Sequence, residues 1–466
     1  MTLSSNPQRR LIDQFDRAVV VGLGATGFSV VRYLRSKGLA VSVVDSRSKP
    51  PIATQLFKDF PEVNSSFGSF ASPEAQKIID CADLLIVSPG VALSTPELLE
   101  AKKRGAILVG DIELFIQENE ADLIAITGSN GKSTVTTLVG EMAAAAGKKP
   151  LVAGNIGLPV LDAITDDVEY DLAVLELSSF QLETTNTIGA RTATILNISA
   201  DHMDRYASFG DYVLAKARVL KGSKIAVLPS HDSGVSQITT SNDIVRFSLQ
   251  EPQAECDFGL HRTQGKRWLL SGSRKIMQLR DVPLVGTHNI SNVLAAFALL
   301  ADFKLDIAPM VRAVKNFKGL SHRMQTVAQT NGVVWVNDSK ATNIGATASA
   351  LKSLEQPIIW IAGGEGKGAD FNELAELDST QIKHLITLGR DGDQIAKVFA
   401  KRLPINSVKT LNEAVLLAAE LAVKGDLVLL SPACASFDMF ANYVERGEQF
   451  VECVTALTSA KLRKGA

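Results

Sequence analysis

Cysteine is scarce in this chain. Four are spread over 466 residues, at Cys81, Cys256, Cys434 and Cys453, and no two form a C-x-x-C pair. That spacing excludes a clustered zinc site and a dithiol redox motif, and isolated thiols in apolar stretches fit a reducing compartment. An excess of one charge is also lacking: 48 Lys and Arg stand against 50 Asp and Glu, with no long run of either sign. A nucleic-acid binder driven by bulk charge is not expected, while local basic sites for phosphate are. Long hydrophobic runs are missing too. The longest, VLAAFALLA at 293–301, is far short of the roughly 20 residues that span a bilayer. The N-terminal MTLSSNPQRRLIDQFD has no apolar signal-peptide core. A cytoplasmic protein without membrane insertion or nucleic-acid partner is expected, with a monomer as the simplest state.

What the chain does have is alternation. RAVVVGLGATGFSVVRYLRSKGLAVSVVDS reads as strand, glycine turn, helix, strand. LIAITG, YDLAVLELSS, RTATILNISADHMD, GVVWVNDSKATN, PIIWIAGGEGKG, HLITLGRDG and DLVLLSPACAS are apolar runs that stop at polar or glycine-rich turns. Strands alternating with helices imply mostly parallel sheets. The short alternating pieces of 244–285 suggest added antiparallel strands, and HNISNVLAAFALLADF a helix opening near 290. The expected fold is α/β in three domains: a Rossmann-like domain over 1–110, a central P-loop ATPase-type domain over 111–319 and a second Rossmann-like domain over 320–466. Ligands of such sheets sit at the carboxyl ends of the strands. The site candidates are therefore Asp45, Ser88, the 128–134 loop, Glu176, Asp201–His202, Asp338–Lys340, Gly363–Lys367 and Ser431–Ser436.

Two glycine loops carry the first functional signal. Gly22-Leu23-Gly24-Ala25-Thr26-Gly27 fits G-x-G-x-x-G between a strand and a helix, and Asp45 closes the next strand. A nucleotide phosphate on the helix N-terminus is the functional reading; a tight turn without ligand is the plain one. TGSNGKST, residues 127–134, is shorter than the G-x-x-x-x-G-K-[ST] loop. It still gives Gly128 and Gly131 for close backbone approach, Lys132 for the phosphates, and Ser133 or Thr134 for Mg²⁺. The plain alternative is a helix cap by Ser129 or Asn130. Glu176, ending the apolar LAVLE, can reach a metal held by Ser133, and Asn155 in the G-N-I-G turn can hydrogen-bond a substrate.

The short loop resembles the ATP loop of the Mur ligases and the folylpolyglutamate synthetases. AGNIGLP, LELSSFQLE, NISADHMDRY, GTHNISN, SHRM, NDSKATN, GGEGKGADF and LLSPACASFDMF extend the resemblance over nearly the whole chain. It is closest to the D-glutamate-adding branch of the Mur ligases, and the D-N-P-R signature of the diaminopimelate-adding branch is absent. The resemblance implies an ATP-dependent ligase that adds D-glutamate to UDP-N-acetylmuramoyl-L-alanine through an acyl phosphate. It makes His202 a second Mg²⁺ ligand and Lys216 a carbamate on the second of two Mg²⁺ ions. It places ATP on Gly128, Ser129, Asn130, Gly131, Lys132, Ser133, Thr134, Asn289, Arg323 and Asp338. It gives Lys132, Glu176, His202 and Lys216 the catalytic roles. UDP-substrate contacts fall on Ala25, Thr26, Asp45, Ser46, Arg47, Ser88, Gly90 and Asn155. The D-glutamate contacts fall on Lys340, Thr342, Lys367, Ser436 and Tyr443, the last standing where phenylalanine is usual.

The chemistry agrees. A carboxylate brought to within ~4 Å of a phosphate charge is repelled by about 4 kcal/mol at an effective dielectric near 20, so such a site needs Mg²⁺ and lysines. An NAD-dependent oxidoreductase would explain only the first loop, and a nucleotide-driven switch only the second.

Overall fold

The computed structural model describes residues 10–464 apart from Ala200, His202, Asp204 and Gln264. Among these residues the strands form three sheets. The first holds β1 (Arg17–Val21), β2 (Ala40–Asp45), β3 (Asn64–Phe67), β4 (Leu84–Val87) and β5 (Ile107–Val109), in the order β3-β2-β1-β4-β5. All four pairings are parallel. Strand β1 is buried along nearly its whole length, as strands covered on both faces require.

The second sheet contains β6 (Asp122–Thr127), β7 (Pro150–Gly154), β8 (Leu172–Glu176), β9 (Thr192–Ile195), β10 (Ile225–Pro229), β11 (Asp243–Phe247), β12 (Phe258–Thr263), β13 (Lys266–Ser271) and β14 (Arg274–Gln278). Their order is β14-β13-β12-β11-β10-β9-β6-β8-β7. The antiparallel addition begins later than the sequence suggests. Strands β11 and β12 still pair in parallel, and the reversal comes at β12/β13. The third sheet holds β15 (Gln325–Thr330), β16 (Val333–Asn337), β17 (Ile358–Gly363), β18 (Ile382–Leu388), β19 (Ile405–Ser407) and β20 (Leu427–Leu430), in the order β15-β16-β20-β17-β18-β19. Only β15/β16 is antiparallel. Residues of β16, β20 and β17 alternate: Val336, Trp360 and Leu429 enter one core, Trp335, Ile361 and Leu430 the other.

The chain divides into two compact units, Met1–Met277 with Leu294–Ala313, and Gln278–Val293 with Val314–Ala466. The first two sheets share the first unit, and one apolar core joins Val20, Val43 and Leu84 to Leu123, Ala153 and Ala173. Polar clasps reinforce it. Arg32, on the helix Ala25–Ser36, pairs with Asp162 at 2.6 Å and Asp166 at 2.5 Å. The Tyr33 hydroxyl donates to Glu118 at 2.7 Å.

The sheet orders put the candidate residues side by side. Neighbouring β1 and β4 lead into the glycine turn and Ser88; β6 and β8 lead into the 128–131 loop and Glu176; β16, β20 and β17 release Asp338, Ser431–Ser436 and Gly363–Lys367. Asp201 is an exception: β9 stops at Ile195, so Asp201 lies six residues beyond the strand end, in a loop. No helix among the described residues is long and apolar enough to cross a membrane.

Candidate active site

The short phosphate loop runs from β6 into the helix Lys132–Ala145. Gly128 (φ +152°) and Gly131 (φ +84°) hold backbone conformations that side chains disfavour. Gly131 is the residue that starts the helix, and no side chain caps it, so the cap reading for Ser129 or Asn130 fails. Instead both residues tie the loop to the segment after β9. The Ser129 hydroxyl donates to Ser199 O and accepts from Ser199 N–H, each at 3.0 Å. The Asn130 N–H donates to Asn197 Oδ1 at 2.8 Å, and Asn197 Nδ2 returns a bond to Asn130 O. Lys132 folds its ammonium back onto Gly128 O (2.8 Å) and Ser129 O (3.0 Å). Ser133 and Thr134 are buried in the first turn.

Glu176 ends β8 and is buried. Its Oε1 accepts from Asn155 Nδ2 at 2.8 Å, and its main-chain carbonyl accepts the Asn155 N–H. Gly154 (φ +105°) allows that approach: a Cβ there would lie 2.2 Å from Glu176 O. Oε2 is buried and meets no protein donor. The structure thus places Asn155 on Glu176, in the central sheet.

Lys216 lies in the helix Phe209–Ala217 with only 2% of its surface exposed. Its Nζ donates to Gly128 O at 2.9 Å and sits 4.6 Å from the Tyr212 ring centroid. Burial, with the neighbouring Lys132 charge, drives its pKa well below that of an ordinary lysine. Tyr212, not singled out in the sequence, meets Ser129 Oγ through its hydroxyl at 3.1 Å; its place four residues before Lys216 on one helix was the available signal. His202 lies outside the described residues.

A metal at this site is testable on the donors. Among the described residues no three His, Cys, Asp or Glu side chains form a metal cage. One orphaned carboxylate oxygen beside a serine and a phosphate loop suits Mg²⁺, which keeps waters and shares its shell with substrate phosphates.

In the first sheet, Gly22 (φ +95°) and Gly27 form the tight turn, and a Cβ on Gly27 would fall 1.9 Å from Gly22 O. Ala25 and Thr26 open the following helix, whose start carries no side-chain cap. Asp45 is buried, and its oxygens accept from Leu23 N–H (2.6 Å), Arg47 N–H (2.8 Å) and the Arg47 guanidinium (2.7 and 2.9 Å). Burial opposes the charge, but these bonds outweigh it and hold the carboxyl below its usual range. Ser88 Oγ donates to Gly22 O at 2.9 Å, while Ser46, Arg47 and Gly90 are exposed.

In the second unit, Asp338 is buried after β16. It accepts from Ser431 Oγ (2.8 Å) and Met324 N–H (3.2 Å). Burial pushes its pKa up to about 7, against those bonds and the half-buried Arg323 nearby. Lys340 holds its ammonium 3.9 Å from the Tyr443 ring centroid, and the Thr342 N–H donates to Lys340 O. Lys367, at φ +51°, lies 4.8 Å from the ring of Phe437, the residue after buried Ser436. Asn289 does not open its helix. The helix is Thr287–Leu300, and Asn289 lies in its first turn, donating to Val285 O at 2.7 Å. Arg446, a residue that sequence reasoning missed, is buried and donates to Ser339 Oγ, Ser339 O, Cys434 O and Ala435 O. It ties the loop of Lys340 to the loop of Ser436. Nothing local in the sequence signals it.

Family models match three consecutive stretches: a Mur ligase MurD-like N-terminal domain over 16–110, a Mur ligase middle domain over 126–300, and a Mur ligase glutamate ligase domain over 322–434. Two UDP-N-acetylmuramoylalanine–D-glutamate ligases are similar at full length. That of Methylobacillus flagellatus is 46% identical, covering 95% of this chain and 97% of its own. That of Pseudomonas aeruginosa is 45% identical, covering 94% and 98%. Among solved structures, a pseudomurein peptide ligase type C from Methanothermus fervidus shares the fold (TM-score 0.58, 19% identity, 95% of this chain and 100% of that one). So does a UDP-N-acetylmuramate–alanine ligase from Thermotoga maritima (TM-score 0.57, 18% identity, 94% and 99%). A phosphate loop set in three such domains defines an ATP- and Mg²⁺-dependent ligase that forms amide bonds. The chain belongs to the Mur ligase family.

Proposed function

We propose that this chain adds D-glutamate to UDP-N-acetylmuramoyl-L-alanine at the expense of ATP, in the cytoplasmic stage of peptidoglycan precursor synthesis. The observation that carries this reading is full-length likeness, near 46% identity, to ligases so named. The substrate carboxylate takes the γ-phosphoryl group of ATP, and the amine of D-glutamate then attacks the acyl carbon and expels phosphate. The domains are read as 1–110 for the UDP-substrate, 111–319 for ATP and 320–466 for the amino acid.

In this reading the turn at Gly22–Gly27, with Ser46, Arg47, Ser88 and Gly90, receives the nucleotide diphosphate, and Asp45 fixes the turn and Arg47. Lys132 exchanges the carbonyls of Gly128 and Ser129 for phosphate oxygens. Asn289, Arg323 and Asp338 address the adenosine part. Lys340, Thr342, Lys367, Ser436 and Tyr443 receive the carboxylates of D-glutamate.

Ser133, His202, the Glu176 oxygen that meets no protein donor and a carbamylated Lys216 would hold two Mg²⁺ ions. When bound, the metal offsets the repulsion between carboxylate and polyphosphate. Carbamylation adds CO₂ to the neutral Lys216 amine with loss of one proton. The depressed pKa of Lys216 favours that neutral form.

The test is phosphate release with ATP, Mg²⁺, UDP-N-acetylmuramoyl-L-alanine and a panel of amino acids. Release only when D-glutamate completes the mixture is the expected result. Equal release without the UDP-sugar would overturn it.

A further inference from the structure

Arg205 has no part in the proposed chemistry, yet it makes three hydrogen bonds beside the site. It follows the loop after β9 and is mostly buried, with 15% of its side chain exposed. Its Nη1 donates to Pro89 O at 3.0 Å, and its Nη2 to Val91 O at 3.3 Å. These two carbonyls flank Gly90, in the turn that follows β4 and faces the glycine loop. Nη2 also pairs with Glu183 Oε2 at 3.0 Å. The planar fork of arginine suits two carbonyls of one turn, and it can lie flat on a ring at the same time. Here the guanidinium carbon lies over the Phe180 ring, 3.9 Å from its centroid.

A continuous line of contacts leads on from that ring. Phe180 stacks on Tyr206 with centroids 6.2 Å apart, and Tyr206 donates to Glu183 Oε1 at 2.5 Å. Tyr206 packs on Tyr212 at 5.3 Å. Tyr212 meets Ser129 of the phosphate loop through its hydroxyl and lies against Lys216 through its ring. Both ends of this line are backbone turns that touch a nucleotide in the proposed reaction. Every member between them is a packed side chain, and packed interiors transmit displacement rather than absorb it.

We infer that Arg205 is a positioning residue that couples binding at the Ser88–Val91 turn to the ATP loop, through Phe180, Tyr206 and Tyr212. The inference rests on the functional reading above. Binding of UDP-N-acetylmuramoyl-L-alanine and of a non-hydrolysable ATP analogue with Mg²⁺ is then interdependent, each tightening the other by the same factor, as linkage requires.

The experiment is calorimetric titration of UDP-N-acetylmuramoyl-L-alanine into the whole protein, with and without saturating ATP analogue and Mg²⁺. Wild type is expected to bind about fivefold more tightly with the analogue present. In Arg205→Ala that ratio falls to one, while the Kd of the analogue alone stays as in wild type and shows that the ATP loop is folded. Arg205→Lys, which keeps the charge without the fork, stays near one. Glu183→Gln, which leaves Arg205 in place and removes one anchor, gives an intermediate ratio. An unchanged ratio in Arg205→Ala, or a ratio of one in wild type, overturns the coupling while leaving the functional reading intact. Failure of the UDP-sugar to bind wild type overturns the functional reading, and the coupling with it.

Discussion

The ammonium groups of Lys132 and Lys216 converge on one acceptor, the carbonyl oxygen of Gly128, at 2.8 and 2.9 Å. A carbonyl has two lone pairs and can accept both, but two cations on one oxygen repel. Burial and Lys132 together account for the lowered pKa of Lys216. Making Lys216 an anion and moving Lys132 to a phosphate would each relieve the crowding.

Activity should therefore depend on CO₂. Stripping it from the buffer should slow turnover, and bicarbonate should restore it. Lys216→Ala should be nearly inactive and partly rescued by short carboxylic acids. Full activity of the unrescued variant would sink the carbamate. The carbamate should also form at lower pH than on an exposed lysine, because the neutral amine is available there; chemical trapping and mass spectrometry across a pH series read this directly.

Asn155 holds one oxygen of Glu176 and leaves the other for a metal. Asn155→Ala should raise the Mg²⁺ concentration needed for half-maximal activity about 10–100-fold, the usual cost of losing a group that orients a metal ligand. Without metal the variant should also melt lower, by about 1–3 kcal/mol of stability, since the buried carboxylate loses its side-chain donor. An Mg²⁺ titration identical to wild type would count against the assignment of Glu176.

The glycine turn separates packing from binding. A Cβ at Gly27 would strike Gly22 O at 1.9 Å, whereas one at Gly24 would meet nothing within 4 Å. Gly27→Ala should destabilise the protein by about 1–3 kcal/mol, as overpacking does. Gly24→Ala should leave the melting temperature near wild type and raise the KM for the UDP-sugar, because the added methyl occupies the approach to the helix N-terminus. Matching KM values for Gly24→Ala and wild type would remove the diphosphate from this turn.

Asp338 gives a pH signature. Its folded pKa of about 7 lies above the ordinary 3.8. The proton it retains stabilises the folded state fully below the ordinary value, and that contribution is lost as pH rises through about 7. Relative to Asp338→Asn, wild type should lose stability between pH 4 and 7, by at most about 4 kcal/mol. Denaturant titrations of both proteins across that range provide the check; parallel curves would show that Asp338 ionises normally.

Much of this site is legible in the sequence because apolar runs end where strands end, and parallel sheets bind ligands at that edge. Asp45, Ser88, Glu176 and Asp338 all follow that rule. The rest depends on distances that sequence does not carry. Asn155 and Glu176 are 21 positions apart, and Arg446 and Ser339 are 107 apart. The cap reading of the phosphate loop fails for a local reason: Gly131 adopts the left-handed conformation and starts the helix itself. Arg205 and Tyr212 lie within or near recognisable motifs, but their value comes from partners across the fold.

The clasps between the first two sheets have a practical consequence. The match to the N-terminal family model ends at residue 110, yet Arg32 grips Asp162 and Asp166, Tyr33 grips Glu118, and the Gly110 N–H donates to Thr184 O at 3.1 Å. Cutting there would bare the core shared by Val20 and Leu123 and strip Glu118, Asp162 and Asp166 of their donors from the first sheet's helix. A nucleotide-sugar module excised at that point would be a poor soluble fragment, and a truncation that keeps residues 10–313 together is the sounder starting point for studying either nucleotide alone.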